Sequence, residues 1–273
     1  MSTGFGAGFH ATPGKTVDAS AYDRWTGRWS RLFVPAVLAA AAVQPGGRVL
    51  DVSTGTGDSA RMAFSLVGTE GVVIGADISP EMLTSARGRL YGSPFLPVAA
   101  DGQALPFRDG AFDAVICQLG LQFFTDPASG VREFRRVLRK NGCVSICVIS
   151  TPERAPMWGI LAEVLSRFLP ELRAVLFLSF ALHDPIRLEA MLAGAGFRDV
   201  RVERTTREDS FESFQEYWEP IEAGVGSMPQ AYLQLAATDR RAVREQVQSR
   251  LSRFEANGKL RMSVEMLIGS GRV

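Results

Sequence analysis

Histidine, cysteine and net charge are all scarce in this chain, and each scarcity removes a class of function. Two histidines and three cysteines in 273 residues, with no C-x-x-C pair and no carboxylate cluster at ligand spacing, leave no framework for a structural or catalytic metal. Cys117, Cys143 and Cys147 fall inside apolar strand-like runs and read as small buried hydrophobes of a reducing cytoplasm. A formal net charge of +1 provides no general attraction for nucleic acid or an anionic membrane. The most apolar long stretch, Trp158 to Leu182, is interrupted by Glu163, Arg167, Pro170, Glu171 and Arg173, so it is no integral membrane segment. Met1 to Asp18 lacks a basic start followed by an apolar core, which argues against a secretory signal. Pro13-Gly14-Lys15-Thr16 imitates the end of a phosphate loop, but Phe9 stands where its leading glycine belongs and no strand precedes it.

What the chain does have is an alternation of apolar runs and helical segments, beginning at Arg48. Strands are expected at Arg48–Val52, Val72–Ala76, Phe95–Ala99, Phe112–Cys117, Cys143–Ile149, Val200–Thr206 and Leu260–Ile268. The earlier runs are continuously apolar, as in strands buried on both faces of a parallel sheet. Helices are expected over Asp58–Val67, from Ser79-Pro80-Glu81, over Asp126–Lys140 and from Asp184-Pro185 to Ala195, each opened by a cap or a proline at its first turn. The fold class that follows is α/β, a doubly wound, mostly parallel seven-stranded sheet with right-handed crossovers. Met157–Leu169 and Glu171–Leu182 read as two inserted apolar helices. Phe211 to Phe254 reads as largely helical, with breaks at Pro220 and Pro229.

Val49-Leu-Asp-Val-Ser-Thr-Gly-Thr-Gly-Asp58 is the stretch around which these elements are arranged: strand, glycine turn, helix start. Such a unit brings backbone close to a nucleotide-like ligand. Gly55-Thr-Gly57-Asp-Ser-Ala60 can be fitted to the dinucleotide fingerprint, with Asp77 about twenty residues on as a ribose ligand. Against that reading, a pyrophosphate would face Asp51 and Asp58, at roughly 3 kcal/mol per pair at about 5 Å and an effective dielectric of about 20. A cationic, phosphate-free ligand reverses the sign. Asp51, Asp77 and Asp101 close three successive strands, and Asp77 can accept both hydroxyls of a ribose.

Together these residues resemble the motifs of class I S-adenosylmethionine-dependent methyltransferases, closest in flavour to the ubiquinone/menaquinone C-methyltransferase-like group. Val49–Asp58 is similar to their first motif and Gly75-Ala-Asp-Ile-Ser-Pro-Glu-Met-Leu83 to their second. Asp101–Val115, Gln118–Pro127 and Arg136–Gly142 continue the likeness, which spans Tyr22 to Ile149. The resemblance implies S-adenosylmethionine as cofactor. Asp51, Ser53, Gly55 and Gly57 would border its methionine half, Asp77 its ribose, and Ile78 and Met82 its adenine. Asp101, Gly102 and Gln103 would meet the adenine edge, and Gln118 would lie beside the cofactor. Ser53 departs from the family pattern, which has its first glycine there, and Asn141 replaces a usual glycine or proline.

The same likeness divides the chain into an N-terminal lid segment and helix (1–45), a cofactor-binding core (46–150), helical cap insertions (151–184 and 210–257), and the remaining core strands and helix (185–209 and 258–273). The expected acceptor is a small molecule, hydrophobic or aromatic, covered by the N-terminal segment and the insertions. Tyr22, Trp25 and Phe123 are the expected lining, with core packing as the alternative role. The insertion helices could also form a homodimer surface. No N/D-P-P-Y-type tetrapeptide follows the fourth strand, which argues against methylation of nucleic-acid bases. Methyl transfer is a direct displacement that needs alignment more than proton transfer, and neither His10 nor His183 stands out as a base. The alternatives are an NAD(P)-dependent oxidoreductase and a protein of this fold that binds the cofactor without transferring methyl.

Overall fold

The computed structural model describes Tyr22 to Val273; His10 and the Pro13–Thr16 stretch lie outside the described residues. Five parallel strands, β1 (Arg48–Val52), β2 (Val72–Asp77), β3 (Phe95–Ala99), β4 (Phe112–Gln118) and β5 (Leu138–Ile149), are joined by β6 (Arg198–Phe211) and β8 (Lys259–Arg272) in the order β3-β2-β1-β4-β5-β8-β6. β8 runs antiparallel to both of its neighbours, so the sheet is mixed only at that edge. A two-residue strand, β7 (Glu255–Ala256), pairs with the start of β8 across the Asn257-Gly258 turn.

Both faces of the sheet are buried, which is why its central strands read as continuous apolar runs. Val49, Val73, Ala114 and Ile116 point to the face covered by helices α1 (Val34–Ala40) and α2 (Asp58–Val67). Ala86 and Leu90, at the end of α3 (Pro80–Arg89), join that side. Leu50, Val52, Val115 and Ile146 point to the opposite face, under α4 (Pro127–Val137). After α5 (Pro156–Phe168), helix α6 (Pro185–Gly194) covers that same face with Leu188 and Leu192.

The last two long strands decide where a ligand can sit. β8 pairs with β5 only from Arg272 to Met266, but with β6 all the way to Leu260, opposite Phe211. The β6–β8 ribbon therefore projects past the C-terminal ends of the parallel strands. Its extension packs in one apolar cluster with α5, α7 (Phe214–Glu222), α8 (Ser227–Leu233) and α9 (Ala237–Leu251). These helices form a wall beyond the strand ends, next to the β1/β4 switch point where ligands of doubly wound sheets bind.

Several sequence expectations need correction. The helix expected over Asp126–Lys140 ends at Val137, because Leu138 already pairs with Phe112. The inserted helix expected over Glu171–Leu182 is instead a chain of short turns. Turns of three residues eclipse positions i and i+3, which sets the rings of Phe177 and Phe180 6.1 Å apart. The breaks expected at Pro220 and Pro229 fall elsewhere: Pro220 lies within α7 and Pro229 within the first turn of α8. The chain turns at Gly224 and Gly226, whose φ of 72° and 96° favour glycine.

Candidate active site

The loop after β1 is held in a left-handed course at Ser53, Gly55 and Gly57, with φ of 57°, 54° and 88°. Ser53 thus occupies backbone space that favours glycine, at a cost of about 1 kcal/mol; this is the position where the resemblance expects one. A Cβ on Gly55 would meet no atom within 4 Å, so that face of the loop is open, whereas at Gly57 it would come within 3.0 Å of Leu90 and 3.2 Å of Ala86. Gly57 therefore serves the packing of the loop on α3, and Gly55 offers open backbone.

Two aspartates hold the loop from below. Thr54 Oγ1 donates to Asp51 Oδ2 at 2.7 Å. Asp77 accepts from the Gly55 amide at 2.8 Å and from the Ser79 amide at 2.9 Å, one through each oxygen. Asp51 is 1% exposed; burial pushes its carboxyl up to about 7, Thr54 holds it back, and the charge of Asp77 raises it further. Burial also raises Asp77, against the hydrogen bonds from Ser79 and Gly55.

Above the loop lies the N-terminal segment, a π-helical turn over Asp23–Gly27 followed by Arg28–Ser30. Arg89 from α3 reaches Asp23 at 2.8 Å, Asp58 at 2.9 Å and the carbonyl of Thr56 at 3.1 Å, and Arg31 lies 3.5–3.6 Å from the same two carboxylates. On its other side, Arg28 pairs with Asp209 and Glu216 and stacks over Phe211, joining the segment to β6 and α7. Gln118 at the end of β4 donates to the carbonyl of Ser30 at 2.7 Å and accepts from Ser59 at 2.9 Å. Asp58, which as bare sequence argued against a pyrophosphate, has its charge engaged in this arginine latch. Arg89→Ala is expected to speed amide exchange over Asp23–Ser30 roughly fivefold, about 1 kcal/mol for loss of a partly buried network. Unchanged exchange would mean that Trp25 and Trp29 hold the segment by packing alone.

Two cavities meet under this segment. One is lined by the loop (Ser53 to Thr56, Asp58, Ser59) and by Ser30 and Gln118. The other is apolar and aromatic, walled by Trp25, Trp29, Phe123, Trp158, Leu161 and the Val225–Pro229 turn. Tyr22, Thr26 and Leu119 line both. Leu119 holds a φ of 60°, a sparsely populated conformation for a bulky residue that persists where neighbouring contacts fix it; here its amide donates to the carbonyl of Cys147 at 2.8 Å. Burial pushes the Tyr22 phenol up to about 12, with Asp77 adding to the effect, so it is neutral at physiological pH.

The residues expected from sequence are thus distributed over different roles. Ser53, Gly55 and Gln118 line the loop cavity, while Asp51 and Gly57 support the loop from behind. Ile78 is 38% exposed at the end of β2, and Met82 is 3% exposed beneath. Asp101 accepts from the Gln103 amide at 2.8 Å, and Gln103 in turn accepts from the Asp126 amide at 2.7 Å. A Cβ on Gly102 would lie 2.3 Å from Phe124, so that glycine is required by packing. Tyr22, Trp25 and Phe123 all line the aromatic cavity. Sequence reasoning missed Trp29, Leu119, Gln122, Trp158 and the Val225–Pro229 turn. For Gln122 a signal existed: it is the one polar residue in Leu119-Gly-Leu-Gln-Phe-Phe124. Among the described residues no cluster of three or more metal-ligating side chains occurs, and no helix is long and apolar enough to cross a membrane.

Comparison with known proteins places this geometry in a family. Residues 50–146 match the model of a methyltransferase domain. The chain is 30% identical over 189 residues to the ubiquinone/menaquinone biosynthesis C-methyltransferase of Geotalea uraniireducens, covering 64% of this chain and 78% of that one. Against the enzyme of the same name from Teredinibacter turnerae it is 32% identical over 201 residues, covering 66% and 78%. Its fold matches that of Haemonchus contortus phosphoethanolamine N-methyltransferase 2, solved with phosphomonomethylethanolamine and S-adenosylhomocysteine, at a TM-score of 0.59 and 19% identity over 93% of this chain and 56% of that one. The chain belongs to the class I S-adenosylmethionine-dependent methyltransferases. It is a methyltransferase with S-adenosylmethionine as its cofactor, and neither alternative reading finds support in the comparisons.

Proposed function

We propose that this enzyme methylates a small, uncharged, apolar or aromatic molecule held in the tryptophan-walled cavity. The supporting observation is the junction: the glycine-loop cavity and the aromatic cavity share Tyr22, Thr26 and Leu119. A methyl group carried over the loop would pass to the acceptor between those three side chains.

The residues present fit the cofactor. Gly55 offers open backbone, Ile78 presents an exposed apolar face for an adenine ring, and Asp51 and Asp77 favour a cationic over an anionic ligand. In this reading Ser53, Gly55 and Gln118 border the methionine half, with Asp51 acting through Thr54 and Gly57 keeping the loop seated on α3. Asp77 takes the ribose, Ile78 and Met82 the adenine plane, and Asp101, Gly102 and Gln103 its edge. Bound there, S-adenosylmethionine supplies an electrophilic methyl on a sulfonium. Among the described residues, the aromatic cavity is lined by no Asp, Glu, His, Lys, Arg or Cys, so its walls align the acceptor rather than deprotonate it. Alignment of this kind can contribute roughly 7–11 kcal/mol. Ten of the thirteen residues of α5 are buried within the chain, which favours an inner wall of the acceptor site over a dimer face. Three unpaired buried thiols suit a reducing cytoplasm.

The test is turnover of methyl-labelled S-adenosylmethionine against two acceptor sets, aromatic phenols and phosphoethanolamine-type zwitterions. Label should move into the organic phase with the first set. Transfer only to the charged set would sink the acceptor assignment.

A further inference from the structure

Within the aromatic cavity two buried polar groups have no partner. Gln122, on the short turn Leu121–Phe123 after β4, is 2% exposed, and neither its Nε2 nor its Oε1 makes a hydrogen bond. Trp29, from the N-terminal segment, is 2% exposed and its Nε1 is likewise unpartnered. Both residues line the cavity. A buried amide left unpaired loses its hydration without compensation, and such groups in native proteins call for an explanation. Leu121 beside Gln122 is fully buried in apolar packing, so an apolar residue at 122 would cost the resting fold less.

We infer that Gln122 is the specificity-determining residue of the acceptor site. Its carboxamide, together with the indole N–H of Trp29, binds an uncharged oxygen function on the acceptor, a hydroxyl or a ring carbonyl. The set comprises one acceptor (Oε1) and donors from two side chains (Nε2 and Nε1), so it can serve a group that both gives and takes a hydrogen bond. With no ionisable cation or carboxylate among the described residues of the lining, a charged acceptor would meet no counter-charge from them to offset its desolvation. Gln122 lies three residues beyond Leu119, so the oxygen it holds is close to the junction where the methyl would cross. The inference rests on the acceptor cavity proposed above.

The experiment is equilibrium dialysis of the full-length protein, saturated with S-adenosylhomocysteine, against 2-naphthol and 2-methylnaphthalene, which share a shape and differ by hydroxyl for methyl. The wild type is expected to bind 2-naphthol at least about tenfold more tightly. Gln122→Met should bring the two probes to about the same affinity, leave S-adenosylhomocysteine binding unchanged, and raise the Tm of the ligand-free protein, because an unpaired amide has been removed. Trp29→Phe, which keeps the ring and loses the N–H, should reduce the preference by a smaller factor and provides the readout if Gln122→Met does not fold. Equal binding of both probes by the wild type, or an undiminished preference in both variants, overturns the inference while leaving the cavity assignment standing. A lower Tm for Gln122→Met would also overturn it, since the amide would then have a structural partner. If neither probe binds while S-adenosylhomocysteine does, the acceptor cavity itself is wrongly assigned.

Discussion

Asp77→Ala is expected to abolish measurable S-adenosylhomocysteine binding and to lower the Tm as well. One carboxylate carries both effects. Its two oxygens accept from the amides of Gly55 and Ser79, which fixes the glycine loop to the start of α3 through its cap Ser79. Alanine leaves both amides without that acceptor, at about 1–3 kcal/mol each. In a chain of this size each kcal/mol lowers the Tm by roughly 2–4 °C, less whatever is recovered by no longer burying the charge. The hydrogen bonds proposed to the ribose are lost in addition. Asp77→Asn should be intermediate, because its amide presents one oxygen where two amides need acceptors. Calorimetric titration and thermal melting separate the contributions: retained affinity would refute the ribose assignment, and lost affinity at an unchanged Tm would refute the loop-holding role.

The second large effect belongs to Asp51 and depends on pH. In the ligand-free protein its carboxyl titrates at about 7, so below that pH it is mostly protonated. A cation arriving over the loop favours the ionised form, and binding at lower pH must expel the proton. Affinity for S-adenosylhomocysteine, whose ammonium supplies that cation, should therefore rise with pH and level off above about 7, with a limiting slope of tenfold per unit below it. Asp51→Asn should flatten this profile and weaken binding at pH 8 by about an order of magnitude.

The stability consequence has the opposite sign. The folded carboxyl, at about 7, lies above its unfolded value of 3.8, so unfolding releases a proton between those values. The ligand-free protein then loses stability through Asp51 as pH rises from about 4 to about 7, in total on the order of 4 kcal/mol. Asp51→Asn removes that loss and should melt higher than the wild type at pH 8 while binding more weakly. Parallel melts at pH 5 and pH 8 check this: a variant less stable than wild type at pH 8 would show that the Thr54 hydrogen bond outweighs the cost of burying the charge.

The parallel strands and their order of appearance were legible because they depend on local pattern. Runs such as Arg48–Val52 and Phe112–Cys117 are apolar at consecutive positions, and only burial on both faces makes that economical. The carboxylates at the strand ends were legible for the same reason, since a strand's last residue is fixed once the strand is. The length of β6 was not. Arg207 to Ser210, beyond the strand expected to end at Thr206, is polar and charged, and it becomes strand only through pairing with β8. The turns after Pro170 and the break at Gly224–Gly226 were likewise decided by packing in the cap, where proline and periodicity carried less weight than the glycines' freedom at positive φ.

By itself, then, the sequence determined the doubly wound core, the glycine loop and the class of cofactor, because residues adjacent in the chain suffice to specify them. Only the tertiary structure decided what the acidic residues do: Asp58 is engaged by Arg31 and Arg89, and Asp51 is buried behind Thr54. It also decided the aromatic cavity proposed for the acceptor, whose wall draws residues from Tyr22–Trp29, Leu119–Phe123, Trp158–Leu161 and Val225–Pro229. Those segments meet because the β6–β8 ribbon extends beyond the sheet and carries the cap back over the strand ends. No local pattern encodes that meeting, since it comes from long-range burial of apolar surface, which is not directional.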